Sequence, residues 1–140
     1  MASILELFSR LSPDKHRRGR QFERVCKWFL ENDPEYKREI RRVWLWDKWP
    51  GRWGRDKGID LIGEGFDGKI WAIQSKAYAL NHSVTKNDID RFLSESSRRI
   101  ISYRLLIATA AEIGHTAREV IQGQEKGLVT SSFPTSRSAN

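Results

Sequence analysis

Apolar residues recur at helical spacing through the first third of the chain and at strand spacing after it. Phe22, Val25, Cys26, Phe29 and Leu30 mark one face of a helix over residues 17–31, closed by Asn32-Asp33-Pro34. A shorter, more charged helical piece follows over 35–42. Val43-Trp44-Leu45-Trp46 reads as a strand that enters a loop rich in Trp, Pro and Gly over 47–54. Residues 59–63 predict a short apolar strand, Phe66-Asp67-Gly68-Lys69 a hairpin turn, and 70–77 the next strand. Residues 85–99 predict a helix entered through Ser83 or Thr85, with Ile89, Phe92, Leu93 and Ser96 turned inward. Residues 103–109 are almost continuously apolar, as a strand buried on both faces requires. Residues 113–122 predict a last helix.

This order of helix, three strands, helix, strand and helix predicts an α/β fold with a central mixed sheet and helices on both faces. Residues 1–14 are set apart as an N-terminal arm, helical over 4–11 with Leu5, Phe8 and Leu11 on one side and broken by Pro13. Residues 15–127 are expected to form the domain. Residues 128–140 are polar and Ser-rich, without periodicity, and are expected to be a frayed tail or the start of a linker.

Composition narrows the class. A chain of 140 residues with 39% hydrophobic and 31% charged residues fits one soluble globular domain. No apolar run approaches the roughly 20 residues that cross a bilayer, and Glu6 and Arg10 interrupt the start too soon for a secretory signal. The lone Cys26 excludes an internal disulfide and a Cys-based zinc site, so the cytoplasm is the expected compartment. The net charge of +7 calls for an anionic partner. Any one basic cluster, such as Lys15-His16-Arg17-Arg18-Gly19-Arg20 or Arg41-Arg42, is equally well a solvated helix face. The excess over the whole chain points to nucleic acid.

The chemistry concentrates in the paired strands. Asp60 opens the first, and Gln74-Ser75-Lys76 ends the second. Residues facing each other on neighbouring strands lie roughly 5 Å apart. Period-two alternation puts Gln74 and Lys76 on one face and turns Ser75 away. Two oxygen ligands and an ammonium can therefore converge, which suits a hard cation beside a positioned water. By contrast His16, His82 and His115 have no ligand spacing, and Ser94, Ser96 and Ser97 have no partners for serine chemistry.

These blocks resemble the restriction endonuclease-like PD-(D/E)xK superfamily, and within it the Mrr-like branch, where Gln often replaces the acid of the last tripeptide. The stretches RGRQFERVCKWFLENDP, RRVWLWDKWPGRW, GIDLIGE, WAIQSKAY, FLSESSR and YRLLIAT are similar to the N-terminal nuclease domain of type ISP-like restriction helicases. The resemblance runs from about Gly19 to Lys126. It implies the restriction endonuclease-like α/β/α sandwich with an αβββαβ core, and a metal-dependent endonuclease that hydrolyses phosphodiester bonds of double-stranded DNA. Mg²⁺ is the implied ion, with Mn²⁺ as a substitute.

Carried onto these residues, the resemblance makes Asp60 and Gln74 metal ligands, the Ser75 carbonyl a third, and Lys76 the group that orients water and stabilises developing charge. Glu23 would be an added ligand or water-orienting group from the first helix. Each has a plainer reading: Asp60 bonded to backbone amides, Gln74 a buried amide paired with a neighbouring strand, Glu23 paired with Lys27 at i+4, Lys76 reaching to solvent. Arg18, Arg20, Lys48, Arg52, Trp53, Arg55 and Lys86 are the expected DNA contacts, the Trp and Arg residues of the 44–55 stretch combining stacking with phosphate binding. Asp56 is expected at the surface and Glu64 beyond the metal. A helicase or translocase module, or another restriction-system subunit, is the implied partner. A homodimer would answer the need to cut two strands with one site each. The rival readings are a catalytically weak or inactive DNA-binding module of the same fold, and a Holliday-junction resolvase-like nuclease.

Overall fold

The computed structural model describes residues 11–55, 58–76, 83–108, 112–113, 129–132 and 137–139. Helix α1 (Lys15–Asn32) starts at Asp14, whose side chain accepts from the Arg17 amide at 2.9 Å. Asp33 ends it and starts the next helix. Its amide donates to the Phe29 carbonyl, and its carboxylate accepts from the amides of Glu35 and Tyr36 at the start of α2 (Pro34–Glu39). Pro34 sits at the first helical turn, where no amide is missed.

The helix expected over 35–42 stops at Glu39. Strand β1 (Ile40–Leu45) begins there because Ile40 and Val43 bury themselves against the sheet, and pairing with β2 (Leu61–Gly65) outweighs the local helical spacing. Trp46, expected in the strand, opens a 3₁₀ turn (Trp46–Lys48). The β2–β3 hairpin turns at Asp67-Gly68, with Gly68 at φ +80 and the Asp67 carboxylate accepting from the Lys69 amide. Strand β3 (Ile70–Lys76) follows. A two-residue strand, β4 (Ser83–Val84), precedes α3 (Lys86–Glu95) and β5 (Ile101–Ala108). Three short strands complete the described chain: β6 (Glu112–Ile113), β7 (Val129–Ser132) and β8 (Arg137–Ala139).

The six-stranded sheet runs β1-β2-β3-β5-β7-β8, and β4 pairs with β6 separately. Strands β1, β2 and β3 are antiparallel, β5 is parallel to β3 and β7, and β8 is antiparallel to β7. The sheet is therefore mixed. Alternation along β2, β3 and β5 feeds two cores. Leu61, Ile73, Leu105 and Ile107 pack with Phe22, Cys26 and Leu30 of α1, while Ile62, Ala72, Leu106 and Ala108 pack with Ile89, Phe92 and Leu93 of α3. Helices thus cover both faces, as the sequence predicts.

Val129–Ser132 and Arg137–Ala139, expected within an aperiodic tail, join the sheet beyond β5. Their polar composition hid strands that only neighbouring backbone can recruit. Residues 4–10 of the expected arm and nearly all of the helix expected over 113–122 lie outside the described residues. One buried cation has no precedent in the sequence pattern. Arg104 is 1% exposed within β5, and its Nη1 donates to the Leu93 carbonyl and Ser96 Oγ at the end of α3. It satisfies one helix-end carbonyl and a hydroxyl and so ties α3 to the sheet. Among the described residues, no helix is long and apolar enough to cross a membrane.

Candidate active site

Strands β2 and β3 part company just ahead of Leu61, and Asp60 stands at that point. Its amide donates to the Ile73 carbonyl at 3.0 Å, continuing the ladder by one bond. Its carboxylate Oδ2 accepts from the Ser75 amide at 2.9 Å and lies 3.5 Å from Ser75 Oγ. The plain reading of Asp60, a carboxylate bonded to a backbone amide, is therefore correct as far as it goes. It also fixes where the second oxygen sits. Ser75 acts here through its amide and hydroxyl.

Glu23 comes from α1 to line the same cleft as Asp60, close enough for the two carboxyls to interact. Burial raises the Glu23 carboxyl from 4.5 to about 8, the Asp60 charge and hydrogen bond and the Asp47 charge push the same way, and Arg20 pulls it back. Two carboxyls in contact share a proton more readily than they share two charges. The alternative partner for Glu23 is otherwise engaged, since Lys27 pairs with Glu31 at 2.8 Å. Cys26 packs beneath the pair, fully buried, and burial with the nearby carboxylates raises its thiol. It is packing, as expected.

Gln74 is 3% exposed, and its Nε2 donates to the Gly58 carbonyl at 3.3 Å. Its Oε1 is buried with no hydrogen-bond partner among the described residues. Leaving such an oxygen unpaired costs about 1–3 kcal/mol, so the amide is half accounted for by the fold and half available to something else. Lys76 ends β3 half-buried. The structure thus joins Asp60 and Ser75 by direct contact and brings Glu23 to the same cleft, while Gln74 is held through Gly58, two residues before Asp60.

An open cleft of about 540 Å³ lies over this point. Glu23, Asp47 and Asp60 line it together with Arg20, Arg24, Arg52 and Arg55. Arg52 also donates to the Trp49 carbonyl at 2.8 Å, which steadies its base while its residue stays exposed. Of the expected DNA contacts, Arg20, Arg52 and Arg55 face the cleft. Lys48 is exposed on the adjoining 3₁₀ turn. The others have partners within the chain: Arg18 donates back to the Pro13 carbonyl, and Lys86 pairs with Asp90 at 2.8 Å. Trp53 stacks edge-on against Trp46, donates Nε1 to Glu95 and carries Arg98 over its ring. It is an anchor for the loop, with the arginines as its exposed part.

Asp47 and Arg24 escaped the sequence reading. Asp47 sits in the Trp-rich stretch with no spacing relation to Asp60, and only the 3₁₀ turn after β1 brings it to the cleft. Glu64 lies further along β2, where it accepts from Trp44 Nε1 and faces Arg41 at 3.6 Å. That agrees with a place beyond the site. Among the described residues, no three His, Cys, Asp or Glu side chains are grouped closely enough to hold a metal by themselves. The available donors are the Glu23 and Asp60 carboxyls lining the cleft and, on the strand paired with Asp60, the orphaned Gln74 carboxamide oxygen, all hard oxygens. They fit a cation such as Mg²⁺.

Comparison with known proteins agrees with this architecture. Among solved structures the chain is similar to the ATP-dependent type ISP restriction-modification enzyme LlaBIII bound to DNA, with 28% identity and a TM-score of 0.78. The match covers 95% of this chain and 8% of that enzyme, so the chain spans a small part of its relative's length. A second similar structure is the MspJI restriction endonuclease in complex with a 27-mer oligonucleotide, at 15% identity and a TM-score of 0.48 over 94% of this chain and 32% of that one. No curated protein matches the chain. The model of a restriction endonuclease family matches residues 31–135, which include Asp60, Gln74 and Lys76 and leave Glu23 outside. With most of its length matched, the chain belongs to the restriction endonuclease family.

Proposed function

We propose that the chain is a metal-dependent DNA endonuclease domain of a restriction system. The observation that carries this reading is the convergence of the Glu23 and Asp60 carboxyls in a cleft lined by four arginines. Carboxyls forced together against burial are costly as structure and useful as a cation site. Glu23, Asp60 and Gln74 would hold Mg²⁺, or Mn²⁺ in its place, and the ion would supply charge neutralisation at the phosphate. Arg20, Arg24, Arg52 and Arg55 bind the flanking backbone phosphates. The Ser75 amide keeps Asp60 in one orientation. Water attacks phosphorus, one P–O ester bond breaks, and the Lys76 ammonium stabilises the charge that develops on the phosphoryl oxygens. A helicase module like the rest of the type ISP enzyme, or a second copy, would supply target choice and the second cut, in the cytoplasm.

Incubating the protein with supercoiled plasmid and Mg²⁺ or Mn²⁺ is expected to yield nicked circles, and a chelator is expected to abolish them. Binding of plasmid without any nicking would leave a DNA-docking module, the reading that the neutral Gln74 favours. Arg52→Ala and Arg55→Ala are expected to weaken duplex binding at every sequence tested. Each lost phosphate contact should also make the slope of log K against log salt less steep by about 0.9. An unchanged slope in both variants places the duplex elsewhere on the surface.

A further inference from the structure

The Gln74 carboxamide is oriented by one backbone group. Its Nε2 lies 3.3 Å from the Gly58 carbonyl, and a carbonyl only accepts, so the nitrogen end must face it. The oxygen end is thereby turned away from Gly58, where it is buried and without a hydrogen-bond partner among the described residues. Gly58 presents its carbonyl from φ +73, a left-handed conformation open to glycine at no steric cost. A side chain at 58 would also meet α3, since an added Cβ would lie 2.9 Å from Cγ of Arg91. Backbone conformation and a neighbouring helix together restrict position 58.

We propose that Gly58 is a positioning residue, whose carbonyl holds the Gln74 carboxamide with its oxygen offered to a divalent cation, and that this hold is why an amide serves at position 74. The proposal rests on the metal-dependent reading above. A carboxylate at 74 would set acceptor against acceptor at Gly58, so added negative charge would come with the loss of the orienting bond. Gln74 is then a working ligand matched to its support. The site is not an acidic one weakened by a lost charge.

The test is calorimetric titration of Mn²⁺ into the full chain after stripping with chelator. Gly58→Asn and Gly58→Val are each made together with Arg91→Ala, so that the new side chain has room. Asn tolerates the left-handed conformation and Val does not. Arg91→Ala alone and the Asn variant are expected to keep Mn²⁺ affinity, and the Val variant to lose about tenfold or more. Exchange of the Gln74 side-chain amide protons, followed by nitrogen-15 NMR, is expected to speed up in the Val variant only. Gln74→Glu is expected to gain no affinity despite its added charge, a readout that remains if the Val variant does not fold. Equal binding by the Val variant and the parent, or binding at least about tenfold tighter by Gln74→Glu, overturns the positioning role and leaves the nuclease reading standing. If the parent itself binds no Mn²⁺, the metal-dependent reading fails and the proposal falls with it.

Discussion

Asp60→Asn is expected to reduce the single-turnover nicking rate by about 10²–10³-fold while duplex affinity stays within about twofold. The substitution keeps the shape of the side chain, and its carbonyl oxygen can still accept from the Ser75 amide, so the β2–β3 junction survives. It removes the charge that a cation needs and that acts on the neighbouring Glu23 carboxyl. Lys76→Ala is expected to lose about 10²-fold, because an ammonium that stabilises developing charge acts in the transition state and adds little to ground-state binding. Rates from rapid-mixing cleavage assays, with affinity from fluorescence anisotropy, separate the two quantities. If Asp60→Asn cuts as fast as the parent, the site lies elsewhere. If both variants lose DNA binding and cutting together, the residues are structural.

The second large effect concerns pH and metal. In the metal-free protein the Glu23 carboxyl sits at about 8, above its ordinary 4.5, chiefly because it is buried and next because of Asp60. The folded state then holds this proton more tightly than the unfolded chain does. Its contribution to stability is fully present below about 4.5 and is lost as pH rises through the interval up to about 8. Partial exposure and solvent screening reduce the effect to on the order of 1–2 kcal/mol, or several degrees of Tm for a domain of this size. Thermal unfolding in chelator should therefore show Tm falling between pH 5 and pH 8. Glu23→Gln should flatten that fall and be the more stable protein at pH 8. Added Mn²⁺ should reverse the trend in the parent, raising Tm more at pH 8 than at pH 5.5, because a carboxyl must shed its proton to become a ligand. A parent protein whose Tm ignores both pH and Mn²⁺ across this range has no such carboxyl pair.

Recognition of the fold needed little beyond local pattern. The Asp67-Gly68 turn, the apolar run that became Ile101–Ala108 and the inward residues Ile89, Phe92, Leu93 and Ser96 all stand where alternation and helical period put them. The errors have specific sources. Ile40–Leu45 was divided between a helix and a strand because Arg41-Arg42 looked like a solvated helix face, and they are instead the exposed residues of an edge strand. Trp53 packs as well, since aromatic residues among cations suit packing and stacking on DNA alike. Its indole is taken up by Trp46, Glu95 and Arg98, from parts of the chain the sequence does not place side by side. Lys86 pairs with Asp90, one helical turn away, and stays half-exposed.

By itself the sequence determined the β2–β3 unit and what it carries. Turn chemistry and period-two alternation act over a few residues, so Asp60 and Gln74-Ser75-Lys76 could be set on adjoining strands before any packing was known. Tertiary structure alone decided that Glu23 and Asp47 come to the cleft with Asp60, that Gly58 turns the Gln74 amide, and that Val129–Ser132 and Arg137–Ala139 extend the sheet. Those facts depend on burial and on the approach of elements far apart in the chain. A carboxyl driven to about 8 is a property of its surroundings, and no spacing rule within the chain encodes it.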